Sequence, residues 1–412
     1  MNKYDVIVVG GGASGLMSAG RAAERDLRVL ILEKNKKLGE KLKITGGGRC
    51  NITNAEFDTR LLLKNYGEGE QFLYSPFAQF GVKETFSFFQ SLGLPIVVQA
   101  RKRAFPSSEK ALDVYLALEK YIKKGNVEIK TASPVTRVFG DGEKITKVSC
   151  GKNEYEAKSF VFSTGGISHP ETGSTGDGFE WLRYLGHSVA TPTPTIVPLA
   201  TSDKWGHDLA GVSLSFMKIT FFVDGKKSFS KTGKLLFTHF GLSGPLVLNS
   251  ASKVGDLLHT GHITAKIDAY PDTDLGSLEK KIIKVFDANK NKMLKNIFGE
   301  IVPEGTSASI LSILKDEIEG DTKVHNVTKE QRKIIVNTLK SLPITITGLM
   351  GYDRAVISDG GVALSEIDMK TMQSHKIKNL FITGDLLHIS RPSGGYSLQL
   401  CWTTGYIAGS NA

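Results

Sequence analysis

Apolar and polar positions alternate between two regimes along this chain, and the first regime is set within the opening residues. Val6-Ile7-Val8-Val9 is a continuous apolar run, too short for a helix and of the length of a strand buried on both faces. It runs directly into Gly10-Gly11-Gly12-Ala13-Ser14-Gly15; residues 15–25 then carry helical spacing, and Leu27 to Leu32 reads as a second strand. Strand, G-x-G-x-x-G, helix and strand in this order form the entrance to a dinucleotide site. Gly10 permits the tight turn, Gly12 lets backbone N–H groups approach a pyrophosphate, and Gly15 lets the helix pack closely on the strand. Glu33 ends the second strand, where a carboxylate accepts hydrogen bonds from ribose hydroxyls and repels a 2′-phosphate.

Further along, Phe160-Val161-Phe162 is another apolar strand leading into a turn, Ser163-Thr164-Gly165-Gly166. Thr172-Gly173-Ser174-Thr175-Gly176-Asp177-Gly178 then opens a helix over Phe179 to Leu185, which offers a second set of N-terminal amides to an anion. Thr191-Pro192-Thr193-Pro194-Thr195-Ile196-Val197-Pro198 excludes regular helix and a central strand, and marks the exit from the first domain. From Leu199 to about Tyr270, strand-like stretches such as Met217 to Val223 and His262 to Ile267 alternate with glycine turns. From Leu275 the period changes: Leu278, Ile282, Ile283, Val285 and Phe286 form one helical face, with Lys280, Lys281, Lys284, Lys290, Lys292 and Lys295 around it. Strand and turn chemistry returns near Pro343. The expected organisation is a discontinuous nucleotide-binding domain over 1–190 and 344–412, a β-rich substrate domain over 191–270 and a helical domain over 271–343.

Composition narrows the class. With 412 residues, 40% hydrophobic and 23% charged, the chain suits two or three soluble globular domains. No apolar run approaches the roughly 20 residues that span a bilayer, and no signal-peptide pattern precedes Val6, so no membrane partner and a cytoplasmic location are expected. Cys50, Cys150 and Cys401 form no C-x-x-C, which points to neither a zinc site nor a local redox dithiol, and no metal is expected. The net charge of +10 favours polyanionic partners such as RNA.

Near the end, Asn379 to Ile382 is a short apolar strand that stops at Thr383-Gly384-Asp385, and Ser393-Gly394-Gly395-Tyr396 leads into a helix from Ser397 to about Ala408. A late Gly-Asp paired with an N-terminal fingerprint resembles the glutathione-reductase-like flavoprotein fold. Four blocks carry the resemblance further: residues 39–54 with Gly46-Gly47-Gly48-Arg49-Cys50-Asn51, residues 172–178, Leu236 to Pro245 with Phe237-Thr238-His239-Phe240-Gly241, and Val356 to Val362. Nearly end to end, the chain resembles a family of three-domain FAD-dependent bacterial oxidoreductases that includes ribosomal RNA dihydrouridine synthase, bile-acid enone reductase and aminoacetone oxidase. It departs from the family pattern at Asp385, where Gly-Glu is common, and at Ser397, where Gly-Gly-Tyr-Asn is common.

The resemblance implies non-covalent FAD in a Rossmann-type, glutathione-reductase-like α/β domain with an inserted β-rich domain and a small helical domain. Asp385 matches the acid that hydrogen-bonds the ribityl and pyrophosphate region. The expected cofactor set is Gly10, Gly12, Ala13, Ser14, Gly15, Glu33, Lys34, Gly46, Gly47, Gly48, Arg49, Cys50, Val135, Thr164, Gly165, Gly166, Gly384, Asp385, Gly395 and Tyr396. The triple glycine lets backbone crowd a flat ring, and Arg49 can pair with a phosphate or a developing anion. Cys50, His239 and Tyr396 are the candidate proton donors. No second G-x-G-x-x-G exists, so NAD(P)H would dock transiently against the flavin. The expected reaction is reduction of an activated C=C, foremost uridine C5=C6 in large-subunit ribosomal RNA; a small-amine oxidase using oxygen and a reductase of a small-molecule enone are the alternatives.

Overall fold

The computed structural model describes residues 3–412, which divide into two compact units. The first comprises the chain up to Pro194 together with Ala355–Ala412; the second is Thr195–Arg354.

The first unit is built on a seven-stranded sheet. Its centre is β1 (Lys3–Val9), whose Val6 to Val9 are buried and which pairs in parallel with β2 (Val29–Leu32) on one side and with a long strand, Asn153–Phe162, on the other. Val127–Lys130 extends the sheet beyond β2, and Leu380–Ile382 pairs in parallel with Asn153–Phe162, so the last seventh of the chain completes a sheet begun at its start. Antiparallel Ile145–Cys150 and Arg137–Gly140 extend from the same long strand. The apolar runs read from the sequence are buried because helices cover both faces, the usual setting for parallel strands.

Helix α1 (Ala13–Ala23) follows β1 and packs along the terminal helix, Tyr396–Asn411. The two approach so closely that a Cβ on Gly405 would stand 2.5 Å from the Ser14 carbonyl oxygen and one on Gly409 would stand 2.4 Å from that of Ser18. The proline-rich segment is not central strand: Val189–Thr195 pairs with Ile357–Val362 in a separate two-stranded ribbon. A third small sheet, antiparallel, places Arg103–Pro106 between Thr53–Asn54 and Ile96–Gln99.

The second unit is a closed six-stranded barrel, ordered Leu199–Thr201, Gly241–Ser243, Lys226–Thr238, Ser213–Val223, Ile263–Asp268 and Leu342–Leu349. Closure removes exposed sheet edges, and Ile219, Phe221, Leu235, Phe237, Ile267 and Ile344 fill the interior. Helices occupy the sequence between the last two strands. Leu275–Ala288 is capped by Asp274 and buries Leu278, Ile282 and Phe286; Lys329–Lys340 opens with a Thr328–Gln331 capping box. No helix among the described residues is long and apolar enough to cross a membrane.

Candidate functional site

Parallel strands deliver their following loops to one edge of a sheet, and in the first unit four of them do so. β1, β2, Asn153–Phe162 and Leu380–Ile382 end at Val9, Leu32, Phe162 and Ile382. The residues that follow them, including Gly10, Gly12, Glu33, Lys34, Ser163, Thr164, Gly165 and Asp385, line a single cleft with about 1160 Å³ of non-atom space, its open mouth included.

Three helices begin on this cleft. Gly12 precedes α1, Gly176 precedes Asp177–Tyr184, and Gly395 precedes the terminal helix; none of the three starts carries a side-chain cap. Gly12, Ala13, Ser14, Gly176, Asp177, Ser397 and Leu398 all line the cleft. Helix starts leave backbone N–H groups without intrahelical acceptors and carry partial positive charge, so this convergence favours an anionic ligand. Neither α1 nor the terminal helix has an acid in its first turn. Asp177 does occupy the first turn of its helix, but the Lys34 ammonium lies 2.6 Å from its carboxylate and 2.5 Å from Thr175 Oγ1.

One part of the cleft wall is organised by Glu33. Its two oxygens accept from the Gly11 amide at 2.8 Å and the Asn35 amide at 2.7 Å, and each keeps acceptor capacity for a hydroxyl. Burial pushes this carboxyl above the usual range, against the lowering by the two amides. Asn35 Nδ2 donates to the Thr172 carbonyl at 2.8 Å and ties the two loops together.

Another part is built around Asp385. Arg391, with 1% of its side chain exposed, pairs with Asp385 and also donates to Ser397 Oγ at 3.0 Å and to the Ile389 carbonyl at 2.8 Å. Lys41 lines the same cleft and donates to Ser168 Oγ at 3.2 Å. Burial holds its ammonium below the usual lysine range, with Asp385 as the largest opposing influence. Cys401 also lines the cleft, its thiol pushed up to about 12 by burial.

Of the residues expected from the sequence, Gly10, Gly12, Ala13, Ser14, Glu33, Lys34, Val135, Thr164, Gly165 and Asp385 border the cleft. Gly15 stands behind it, where a Cβ would lie 1.9 Å from the Gly10 carbonyl oxygen. A Cβ on Gly166 would meet Ser358 Oγ at 2.2 Å. Gly384 and Gly395 hold φ of +61° and +102°, so they shape turns. Thr45 lines the cleft, whereas Gly46, Gly47 and Gly48, which follow it, are exposed with positive φ.

Arg49 departs from the expectation of a free anion partner. Its guanidinium lies 2.7 Å from both Gln99 Oε1 and Glu109 Oε1, and 4.3 Å from the centre of the Phe105 ring. Cys50 is fully buried, with its thiol pushed up to about 12, and behaves as a packed apolar side chain. Tyr396 begins the terminal helix, edge-on to Tyr66 at 5.8 Å, and its phenol is raised by burial. His239 belongs to the second unit, between the strands Lys226–Thr238 and Gly241–Ser243, edge-on to Phe240. Sequence reasoning missed Lys41, Arg391 and Cys401. Arg391 was open to discovery as the nearest cation after the isolated Asp385; the other two carry no local signal.

A model of the HI0933-like protein Rossmann domain matches residues 4–411. The chain belongs to this family. It is 28% identical to a 3-dehydro-bile acid delta(4,6)-reductase of Clostridium scindens, over 100% of this chain and 99% of the relative. It is also 28% identical to a ribosomal RNA dihydrouridine synthase of Haemophilus influenzae, over 98% of each chain. Among solved structures, the 3-ketosteroid delta1-dehydrogenase of Sterolibacterium denitrificans aligns with a TM-score of 0.53 at 13% identity, over 99% of both chains. The HI0933-like chain thus has a Rossmann-type fold shared with a dehydrogenase of known structure and a full-length relative named a reductase.

Proposed function

We propose that this protein is an FAD-dependent oxidoreductase that draws on NAD(P)H to reduce an activated C=C, with uridine C5=C6 of large-subunit ribosomal RNA as the substrate. The observation that carries the cofactor reading is the cleft onto which three uncapped helices open, with Glu33 and Asp385 both in its wall. FAD fits this donor set. A Cβ built on Gly12 finds no atom within 4 Å, so the backbone there faces open space of the kind a pyrophosphate needs. Glu33 would hold the adenosine ribose, the amides of α1 the pyrophosphate, and Asp385, oriented by Arg391, the ribityl chain.

Bound FAD would supply hydride transfer between the nicotinamide and the C=C. The chain supplies binding, orientation and a proton. Tyr396 is our candidate donor, because it adjoins Ser397 on the cleft and a phenol, raised further here by burial, carries its proton at neutral pH. The start of the terminal helix would stabilise negative charge at its end of the cleft.

Two features support RNA over a steroid. The net charge is +10, and within residues 210–266 Lys218, Lys226, Lys227, Lys231, Lys234, Lys253 and Lys266 face only Asp224 and Asp256 in composition. A full-length relative is named a ribosomal RNA dihydrouridine synthase. The equal identity to a bile-acid reductase keeps a small-molecule enone as the second reading. Mass spectrometry of ribosomal RNA from a strain lacking the gene tests the choice: loss of a dihydrouridine supports the RNA reading, and unchanged RNA modification removes it.

A further inference from the structure

Resting on the FAD-dependent reading above, we infer that Arg101 and Arg103 form a receiving site for a phosphate group of the nucleotide ligand that meets the cofactor. Four cations, Arg49, Arg101, Lys102 and Arg103, gather around the small sheet beside the triple-glycine turn. Two of them are neutralised, Arg49 by Glu109 at 2.7 Å and Lys102 by Glu56. Among the described residues, no carboxylate lies within 4.0 Å of the guanidinium of Arg101 or Arg103. Arg103 is half-buried on the central strand of that sheet, opposite Gln99 on one side and Asn54 on the other. Burial and the neighbouring charges of Arg101 and Arg49 all disfavour its charged form.

An anion between Arg101 and Arg103 would relieve the repulsion between these two unpaired cations and the desolvation of Arg103. Arg101 and Lys102 are moreover held at φ +60° and +56°, a left-handed pair that L side chains rarely adopt. The turn is fastened to the cleft from both sides. Asn54 Nδ2 donates to the Arg101 carbonyl at 3.4 Å and to the Gly394 carbonyl at 3.1 Å, next to the cap of the terminal helix. From the other side, Thr45 lines the cleft and Arg49, four residues on, contacts Gln99, the residue that precedes Ala100 and Arg101. A phosphate held here would anchor a ligand whose reacting group enters the cleft. With no second G-x-G-x-x-G in the chain, such an anchor offers a nicotinamide dinucleotide a phosphate contact, and an RNA backbone carries the same chemistry.

The test uses the FAD-loaded protein and compares wild type with Arg101→Gln, whose exposed site leaves the fold intact, and with Arg101→Gln/Arg103→Gln. Affinity is measured for NADPH by anaerobic titration and for a uridine-containing ribosomal RNA oligonucleotide by fluorescence anisotropy across a salt series. The expected result is a loss of about tenfold or more for one probe in the double variant, with part of that loss in Arg101→Gln and FAD affinity unchanged. A loss confined to NADPH identifies the donor's phosphate. A loss for RNA, with the salt slope reduced by about 0.7 per contact removed, identifies the substrate backbone. Unchanged affinity for both probes in variants that retain FAD overturns the inference. Wild-type protein that holds no FAD would instead overturn the functional reading, and the same binding comparison on that protein would still judge the arginines.

Discussion

Replacing Gly12 by valine separates a ligand-facing glycine from two that serve the fold. Gly12 has φ −82°, which any residue adopts, and its added Cβ meets nothing within 4 Å. Gly12 caps α1 without a side-chain bond, and because valine is a poorer N-cap than glycine the apoprotein should lose no more than about 2 kcal/mol of stability. The new side chain projects into the space proposed for the pyrophosphate. Losing two charge-assisted amide contacts at about 1.5–3 kcal/mol each weakens FAD binding by about 3–6 kcal/mol, or roughly two to four orders of magnitude. Gly10→Ala and Gly15→Ala are the contrast: their Cβ atoms would lie 2.5 Å from the Ser163 carbonyl oxygen and 1.9 Å from the Gly10 carbonyl oxygen. Those variants should lose Tm in the apoprotein. Fluorescence titration of deflavinated protein with FAD, alongside thermal melts, provides both readings. A Gly12→Val protein that binds FAD with wild-type Kd would refute the placement of the pyrophosphate.

Four further outcomes follow from the same geometry. Glu33→Gln should weaken FAD binding by about 1–3 kcal/mol; because burial raises the Glu33 carboxyl above 4.5, its contribution to apoprotein stability is present below that pH and is lost as pH rises through the folded value, so the variant's Tm–pH profile should lack that decline. Lys41→Met should leave the apoprotein Tm undiminished, since a buried cation is removed, while FAD affinity falls about tenfold in the same titration; an unchanged affinity would remove Lys41 from the site. Arg391→Ala removes the buried partner of the partly exposed Asp385 and should cost about 1.5–3 kcal/mol in urea unfolding, and a loss below 1 kcal/mol would show the pair to be dispensable. Tyr396→Phe should slow the half-reaction that reduces the C=C by about 10²–10⁴-fold without slowing reduction by NADPH, and equal rates in both half-reactions would move the proton donor elsewhere.

What the sequence reveals here depends on whether a residue's partner is local. Gly12 and Glu33 border one cleft because β1 and β2 are parallel neighbours whose ends coincide, a relation already implied by strand, glycines, helix and strand in succession. Asp385 reaches the same cleft because Leu380–Ile382 joins the sheet, and the apolar run before Gly384 was enough to suggest it. The partners of Arg49 are not legible in the sequence, since a cation beside three glycines invites an anion while Gln99 and Glu109, which contact it, give no hint in their own surroundings. Lys41 and Cys401 were invisible for the related reason that their roles arise from burial against distant elements. In the second unit, alternating patterns revealed strands such as Ser213–Val223, but closure of the barrel depends on Leu342–Leu349 pairing with Leu199–Thr201 across an intervening run of helices.

The most direct measurement of the central claim is an anaerobic two-step experiment on the purified protein. Denaturation of one aliquot should release FAD; NADPH should bleach the flavin absorbance of a second, and a uridine-containing fragment of large-subunit ribosomal RNA should restore it with formation of dihydrouridine detected by mass spectrometry. If the fragment leaves the flavin reduced, while aminoacetone reduces the oxidised protein and air rapidly reoxidises it, the protein is an amine oxidase and the proposed reductase activity is contradicted.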